Sequence, residues 1–394
     1  MSQTEVVIVS AARTPIGAFQ GAFAPVTAPQ LGAAAAQGAI QAAGIGAADV
    51  QEVILGCVLA AGLGQAPARQ AAIGAGIPLA TPATTINKMC GSGLKAVMLA
   101  ADQIRAGTAE IVLAGGFESM TQAPYLLPKA RGGYRMGHGE VLDHMFYDGL
   151  QSPFDGKLMG CFADATASQY RFSRQDQDAF AMESVRRALR AVESGEFDAE
   201  ITPVTVKGRK GETVVSRDET PATCDASRIP LLKPAFGKDG TVTAASSSSI
   251  ADGAAALVIA SADVAAARGL KPVARILAQA SHAQEPEWFT TAPVGAIRKV
   301  LARLGWKPHD ADLYEINEAF ATVTMAAMRD LDIDHARVNV NGGACALGHP
   351  IGATGARILT TLLHALRRRG ARRGIASLCI GGGEAVAVAV ELIG

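Results

Sequence analysis

Three glycine-rich segments carry residue types that suit acyl-transfer chemistry. Cys90 lies in Asn87-Lys88-Met89-Cys90-Gly91-Ser92-Gly93, His349 in Gly348-His349-Pro350, and Cys379 in Cys379-Ile380-Gly381-Gly382-Gly383. A cysteine paired with a histidine can form a covalent acyl intermediate. A second cysteine adds a candidate acid or base, which a carbon–carbon bond-forming acyl transferase needs and a simple hydrolase does not.

Each of these residues also has a purely structural interpretation. Cys90 precedes a predicted helix whose N-terminus would lower the pKa of the thiol, so we favour a nucleophile over a core cysteine. His349 either accepts a proton or stabilises a turn. Cys379 resembles a strand-end core cysteine, although the glycines after it offer backbone N–H groups for an oxyanion. Asn317 either caps a helix or orients an oxyanion or a water.

The composition argues against several classes of protein. The chain has 394 residues, of which 49% are hydrophobic, and its 36 basic and 36 acidic residues give no net positive field for nucleic acid. Six cysteines without paired short spacings indicate neither a disulfide framework nor a zinc site. A strand pattern from Glu5 leaves no room for a signal or transit peptide, and no apolar run is long enough to span a membrane. We expect a cytoplasmic protein without a metal.

Alternating strand-like and helix-like segments predict an α/β fold. Predicted strands cover Val6–Ser10, Glu52–Val58 and Ile111–Gly115. Predicted helices cover Leu31–Ala43 and Gly93–Ala106, both rich in alanine. The many alanines and glycines favour elements that pack closely against one another.

The chain also contains an internal repeat of one strand–loop–helix pattern. One segment runs from Thr85-Ile86-Asn87 through Cys90-Gly91-Ser92-Gly93 and a helix to Gly115-Gly116-Phe117-Glu118. A second runs from Asn339-Val340-Asn341 through Gly352-Ala353-Thr354-Gly355 and a helix to Gly381-Gly382-Gly383-Glu384, with His349 in an inserted stretch. We infer two similar α/β halves whose loops meet at the site.

The internal repeat predicts a division of the chain. The N-terminal half covers residues 1–119 and is completed by about 250–270, and the C-terminal half covers 271–394. Residues 120–249, which include a polar helix around Arg174–Ser194, form a cap or loop insertion, a usual place for a substrate lid. Ser246–Ser249 is either a flexible linker or a loop that contacts a ligand.

In this order, the motifs resemble those of the thiolase family over nearly the whole chain. The resemblance implies an α/β fold of two similar halves, with mixed sheets packed in layers around central helices, plus the cap. The segments that carry it, beside those around Cys90 and Cys379, are Ser10-Ala11-Ala12-Arg13-Thr14-Pro15-Ile16-Gly17, Gly115-Gly116-Phe117-Glu118-Ser119-Met120, Val338-Asn339-Val340-Asn341-Gly342-Gly343 and Ala346-Leu347-Gly348-His349-Pro350-Ile351-Gly352-Ala353-Thr354-Gly355.

The resemblance also implies a role for each candidate residue. Cys90 is the nucleophile, His349 activates it and forms one oxyanion hole with a water held by Asn317, and Cys379 removes the α-proton of the second substrate. The backbone N–H groups of Cys90 and Gly381 form the other oxyanion hole. The implied activity is that of an acetyl-CoA C-acetyltransferase, a ping-pong condensation of two acetyl-CoA and its reversal.

Substrate contacts and assembly are implied in the same way. The substrates are coenzyme A thioesters with no further cofactor, and the loop from Met120 to Gly137 is similar to one that joins two dimers into a tetramer, so a homodimer or homotetramer is expected. The implied coenzyme A contacts are mostly apolar, as a pantetheine tunnel requires. They are Leu150, Met159, Leu232, Ala235, Phe236, Ala244, Ser248, Ala319 and Phe320, with Phe289 limiting the acyl pocket.

The chain departs from the family pattern around the substrate pocket, so alternatives stay open. They are a broad degradative 3-ketoacyl-CoA thiolase, a condensing enzyme of the ketoacyl synthase type, which does not need Cys379, and a catalytically silent coenzyme A-binding protein. The departures are Leu158 in place of His, Phe162-Ala163-Asp164 in place of Thr-Ala-Glu, the serines Ser246–Ser249, Pro221-Ala222 where Arg is expected, Phe289-Thr290-Thr291-Ala292-Pro293 in place of Met-Gly-Thr-Gly-Pro, and the charged Glu384.

Overall fold

The computed structural model describes residues 4–208 and 211–393. Nine of its strands form the path of one large mixed sheet, and short hairpins lie outside it. The strands are β1 (Val6–Arg13), β2 (Gly17–Ala18), β3 (Glu52–Gly56), β4 (Ala83–Ile86), β5 (Ile111–Ser119), β6 (Tyr125–Leu126), β7 (Leu142–Asp143), β8 (Val204–Gly208), β9 (Gly211–Val215), β10 (Ala251–Ser261), β11 (Ala274–Ala283), β12 (Leu313–Ile316), β13 (Arg373–Ile380) and β14 (Glu384–Leu392).

Helices cover both faces of this sheet. They are α1 (Ala28–Ala43), α2 (Pro67–Gly74), α3 (Ser92–Arg105), α4 (Met159–Tyr170), α5 (Arg174–Glu193), α6 (Ala262–Ala267), α7 (Ala292–Leu304), α8 (Ala321–Leu331), α9 (Ala344–Leu347) and α10 (Thr354–Arg369). A short π-helix, Met145–Leu150, precedes α4. Among the helices in the described part of the chain, none is both long and apolar enough to cross a bilayer.

The order of the strands repeats from one half of the sheet to the other. The path runs β4-β3-β5-β10-β1 and continues β11-β14-β13-β12, with β2 added to β10. In the first half β4, β3 and β5 are parallel and β10 and β1 are antiparallel. In the second half β12 is parallel to β13 and bridges in parallel to Val338, while β14 and β11 are antiparallel. Val338–Val340 therefore stands where β4 stands in the first half.

The core is layered because successive strand residues point to opposite faces. Ile8 of β1 packs with the central helices α3 and α10, whereas Val7 and Val9 pack with α1 and α2. In the second half α7 and α8 cover the other face. The two similar halves, the mixed sheet and the central helices agree with the predicted fold class.

Two glycines allow the central helices to approach closely. A Cβ added to Gly355 of α10 would lie 2.3 Å from the backbone nitrogen of Leu94, and one added to Gly93 of α3 would lie 2.8 Å from that of Ala356. Both distances are too short for a side chain, so only glycine fits. The first turns of α3 and α10 therefore pack backbone to backbone, and the loops that precede them meet.

Long-range contacts move several predicted boundaries. The first strand continues past Ser10 to Arg13, because the buried guanidinium is paired with Glu200 at 2.6 Å and Asp218 at 2.7 Å. The strand predicted to end at Gly115 continues to Ser119, because β10 pairs with it throughout. The first helix begins at Ala28, since Thr27 caps it in a capping box.

Candidate active site

Cys90 lies in the tight turn between β4 and α3. Met89 adopts a left-handed conformation at φ 48°, which is rare for a residue with a side chain. The hydroxyl of Ser92 holds the turn, since it accepts the backbone N–H of Lys88 at 2.8 Å and donates to the carbonyl of Met89 at 2.7 Å. A Cβ on Gly91 would lie 2.4 Å from the side chain of Ile380, the residue after Cys379. The turn that carries the nucleophile candidate therefore packs against the segment that carries Cys379.

The pKa of Cys90 differs from the prediction made for a cysteine near a helix N-terminus. Burial raises the pKa of this thiol to about 11, although the N–H groups of Gly381 and Cys90 oppose the shift. The prediction of a lowered pKa was wrong, because the cost of desolvating a thiolate in this turn exceeds the effect of the helix. Cys90 is thus a neutral thiol at rest and needs a base to react.

His349 carries a ring nitrogen that is unpaired within the described ranges of the chain, as such a base requires. Its Nδ1 lies 2.6 Å from the hydroxyl of Thr354, which donates its own proton to the carbonyl of Pro350 at 2.8 Å. Nδ1 must therefore carry the hydrogen, and Nε2 keeps a free lone pair. Nε2 is buried and has no hydrogen-bond partner among the described residues. Burial and the charge of Arg357 lower the pKa of His349 to about 3, so the imidazole is neutral.

Asn317 and Cys379 complete the group of predicted catalytic residues. Asn317 directly follows β12, and neither polar atom of its buried amide has a hydrogen-bond partner in the described part of the chain. Cys379 lies near the end of β13, fully buried. Burial holds the pKa of Cys379 well above its usual range, and Cys90 adds to this shift, so the two sulfurs lie close enough to interact electrostatically.

A cavity of about 320 Å³ adjoins this group, although Cys90, Asn317 and Cys379 are not part of its lining. It lies between two apolar clusters, one that packs Cys90 with Leu59 and Ile351, and one that contains Cys379. His349 lines the cavity. Seven of the ten predicted substrate contacts also line it, namely Leu150, Met159, Ala235, Phe236, Ala244, Ser248 and Phe320. Its size and its apolar walls suit a pantetheine chain.

The other three predicted contacts lie outside the lining. Ala319 is buried and its carbonyl accepts the backbone N–H of Ser248 at 3.0 Å, so it supports the wall from behind. Phe289 is buried beside Cys379 and meets Phe162 edge to face, with ring centroids 6.1 Å apart. Leu232 is half-buried, and its carbonyl accepts from Arg174 at 2.8 Å.

The departures from the family pattern have local explanations. Leu158 lines the cavity, as do Ser247, Ser248 and Ser249, so the serine stretch is a loop that contacts the cavity and not a linker. Asp164 accepts the backbone N–H groups of Thr241 at 2.7 Å and Val242 at 2.9 Å, which fixes the segment before those serines. Nothing in the structure explains why Pro221 and Ala222 replace an arginine.

Glu384 has a partner in the opposite half. Its carboxylate forms an ion pair with the ammonium of Lys88, and both side chains are about one-third exposed. Lys88 is two residues before Cys90, and Glu384 is three residues after Gly381. The pair therefore joins the same two loops as the contact between Gly91 and Ile380.

Comparison with known families matches the whole of this architecture. The model of the thiolase N-terminal domain matches residues 6–263, and that of the thiolase C-terminal domain matches residues 270–392. The chain belongs to the thiolase family. As a thiolase it is an acyltransferase, and the substrate cavity and catalytic candidates described above lie within the two matched regions.

Named relatives of this thiolase are similar over almost their full length. The acetyl-CoA acetyltransferase of Pseudomonas aeruginosa is 51% identical over 386 residues, which cover 98% of each chain. That of Cupriavidus necator is 51% identical over 392 residues, or 98% of this chain and 99% of the relative. The crystal structure of the Bacillus anthracis acetyl-CoA acetyltransferase superposes with a TM-score of 0.97 at 44% identity, covering 99% of both chains.

Sequence reasoning missed three residues that support the thiolase site. Thr354 fixes the tautomer of His349. It lies five residues after His349, within the quoted motif, so the sequence could have indicated this contact. Glu118 and Glu318 each accept backbone N–H groups from catalytic loops, and both were quoted in motifs without a role. Their function depends on contacts between distant parts of the chain, which sequence spacing does not reveal.

Proposed function

We propose that this thiolase is an acetyl-CoA C-acetyltransferase, which condenses two acetyl-CoA into acetoacetyl-CoA and CoA and catalyses the reverse thiolysis. One observation carries the proposal. The turn that carries Cys90 packs against the residue after Cys379, since a Cβ on Gly91 would lie 2.4 Å from the Ile380 side chain. Ile351, which packs with Cys90, and His349 both line the cavity. The names of the close relatives support the acetyl substrate.

The first half-reaction acylates Cys90. His349 Nε2 takes the thiol proton, and the sulfur attacks the carbonyl carbon of acetyl-CoA. The sulfur–carbon bond to CoA breaks, and Cys379, which is protonated at rest, gives its proton to the departing CoA sulfur. The N–H groups of Cys90 and Gly381 are available to stabilise the acyl oxygen.

The second half-reaction forms the carbon–carbon bond. The Cys379 thiolate takes the α-proton of a second acetyl-CoA, and the enolate carbon attacks the acyl carbon on Cys90. The Cys90 thiolate leaves and recovers its proton from His349. The enolate oxygen is stabilised by the protonated His349 and by a group held on Asn317, whose amide has no hydrogen-bond partner within the described chain.

The aromatic residues around Cys379 favour a short acyl group. Phe162, Phe289 and Phe320 all pack in the cluster that contains this cysteine. Phenylalanine in place of the methionine found in relatives fills the pocket with a stiffer side chain. We therefore propose that acetyl and acetoacetyl groups fit and longer chains do not.

The test compares CoA-dependent cleavage of acetoacetyl-CoA with that of 3-ketooctanoyl-CoA. The proposal predicts cleavage of the short substrate alone, and a gain of the longer one in Phe289→Ala. Phe172→Ala, which shortens a buried phenylalanine in a different apolar cluster, is the matched control and gains nothing. Equal cleavage of both substrates by the unchanged enzyme would establish the broad degradative thiolase instead. Cleavage of neither by folded, reduced protein would support a silent binding protein.

We also propose that the enzyme works as a cytoplasmic homotetramer, built through the arm that carries β6 and β7. Its exposed apolar side chains support this, since a monomer would leave them in water. They are Tyr125, Leu127, Tyr134, Met136 and Val141. Light scattering of Met136→Lys and Val141→Lys beside the parent chain tests the assembly, with dimers expected from the double variant and tetramers from the parent.

A further inference from the structure

The loop that carries His349 is held at both ends by buried carboxylates. This loop, residues 342–352, contains the short helix α9 and runs between Asn341 and the turn that starts α10. Glu318, two residues after β12, lies against its beginning, and Glu118, the penultimate residue of strand β5, lies against its end. Both side chains are at most 1% exposed.

Glu118 joins the loop to the N-terminal half. Its Oε2 accepts the backbone N–H of Gly352 at 2.8 Å and that of Val58 at 3.0 Å, and its Oε1 accepts the N–H of Leu59 at 3.0 Å. The Cys57 thiol donates to Oε1 at 3.6 Å. All four partners are donors, which a carboxylate satisfies and a neutral acid does not.

Glu318 holds the other end within the C-terminal half. Its Oε2 accepts the hydroxyl of Ser184 at 2.6 Å and the backbone N–H of Cys345 at 3.2 Å, and its Oε1 accepts the amide of Asn339 at 2.9 Å. Ser184 in turn accepts the N–H of Gly343 at 3.0 Å. Because Ser184 belongs to α5, this contact ties the cap to the His349 loop.

Glycines let both carboxylates approach the backbone. A Cβ on Gly352 would lie 2.8 Å from Oε2 of Glu118, and one on Gly343 would lie 2.3 Å from Cδ of Glu318. Burial raises the pKa of both glutamates, and the donated hydrogen bonds oppose the shift in each. Charge-assisted hydrogen bonds of this kind are strong and directional, so the loop has little freedom.

We propose that Glu118 and Glu318 are positioning residues that clamp the His349 loop and so keep Nε2 aimed at Cys90. The inference rests on the proposed role of His349 as the base. Neither carboxylate touches the substrate cavity lining, so both act through the loop. A displacement near 1 Å in a base costs about 100-fold in rate, which sets the size of the expected effect.

A double-mutant cycle between the clamp and the base tests this. Glu118→Gln keeps the shape of the side chain but turns an NH₂ group toward donors, so kcat for thiolysis falls about 10- to 100-fold with KM unchanged. In a His349→Ala background the same substitution costs less than about threefold, because the group it positions is already gone. Equal losses in both backgrounds would overturn the clamp and indicate general structural damage.

Two further variants keep the test decisive if Glu118→Gln does not fold. Ser184→Ala removes one donor from Glu318, and Gly352→Ala pushes on Glu118 without removing its charge. Each should lower kcat in the parent enzyme but have little effect on kcat in the His349→Ala background. An equal loss of kcat in both backgrounds would contradict the clamp. Asp312→Asn, a carboxylate that accepts the N–H groups of Arg372 and Arg373 elsewhere, is the control and leaves kcat unchanged. If His349→Ala alone keeps full activity, the proposed base is wrong, whatever the clamp variants do.

Discussion

The two halves of this thiolase use the same strand–loop–helix unit for different chemistry. In the first, β4 leads through five residues to α3 and then to β5. In the second, Val338–Val340 leads through thirteen residues to α10 and then to β13. The short loop places Cys90 at the start of a helix, whereas the long loop has room for His349. Under the proposed roles, one repeated scaffold supplies the nucleophile from one copy and its base from the other.

The ends of the two units differ as well. Near the end of β5 the buried carboxylate of Glu118 accepts N–H groups, whereas β13 ends in Cys379-Ile380 and is followed by three glycines. We expect the first end to hold a loop in place and the second to take part in the proposed chemistry. Under this proposal each half depends on a group that the other half provides.

The largest loss of activity is expected from removing His349. His349→Ala leaves Cys90 with a pKa of about 11 and no acceptor for its proton, so kcat/KM for thiolysis should fall about 10²- to 10⁴-fold. His364→Ala, a half-buried histidine on α10, is the control. Activity near the parent level in His349→Ala would show that Cys90 reacts without help from the second unit.

The pH dependence of alkylation tests the burial of Cys90. Because its pKa is raised to about 11, the thiolate fraction rises about tenfold per pH unit through the range 7 to 10. The rate of Cys90 carboxymethylation by iodoacetamide, followed by peptide mass spectrometry, should rise in the same way. At pH 7 it should be roughly 100-fold slower than for a thiol of ordinary pKa near 9. A plateau of the alkylation rate below pH 8 would mean that the helix N-terminus lowers the pKa of Cys90 more than burial raises it.

The glycine contact between the central helices is the next target. Gly355→Ala places a Cβ 2.3 Å from the backbone of Leu94, so α3 and α10 must separate. We expect a loss of about 1–3 kcal/mol in the free energy of unfolding and a lower kcat, since both catalytic loops start at this contact. Gly46→Ala meets only a side-chain oxygen at 3.4 Å and is the control in the same thermal and denaturant unfolding measurements. Equal stability of the two variants would argue against the close packing.

The smallest effect is expected from the ion pair between the loops. Lys88→Met and Glu384→Gln should each lower kcat/KM by less than about fivefold, because a half-exposed pair is worth at most about 1 kcal/mol. The double variant should be no worse than either single one, since both remove the same contact. The exposed pair between Arg268 and Asp49, 2.7 Å apart, is the control and should leave kinetics unchanged when disrupted. Additive losses would mean that the two charges act separately.

Much of this architecture could be predicted from the sequence because it is encoded in local patterns. The internal repeat of Cys90-Gly91-Ser92-Gly93 and Gly352-Ala353-Thr354-Gly355 corresponds to the starts of α3 and α10, whose glycines face each other. The alternation of elements gave the α/β class. The catalytic candidates were identified by residue type within glycine-rich loops, and their assigned roles stay predictions.

The sequence could not predict effects that arise between distant segments. The turn of Cys90 packs against Ile380, almost 300 positions away, and the continuation of β1 depends on Glu200 and Asp218. The carboxylates of Glu118 and Glu318 are buried only because backbone donors from other loops satisfy them. Local periodicity contains none of this information.

The most direct test of the division of labour is the acylation state of Cys379→Ser. The purified variant is mixed with acetyl-CoA, quenched, and examined by intact-mass and peptide mass spectrometry, beside a measurement of acetoacetyl-CoA formation. The account predicts an acetyl group on Cys90 and a loss of condensation of about 10²- to 10⁴-fold. Condensation at the parent rate, or acetyl on a residue other than Cys90, would contradict the assignment of the nucleophile to one half and the carbon acid chemistry to the other.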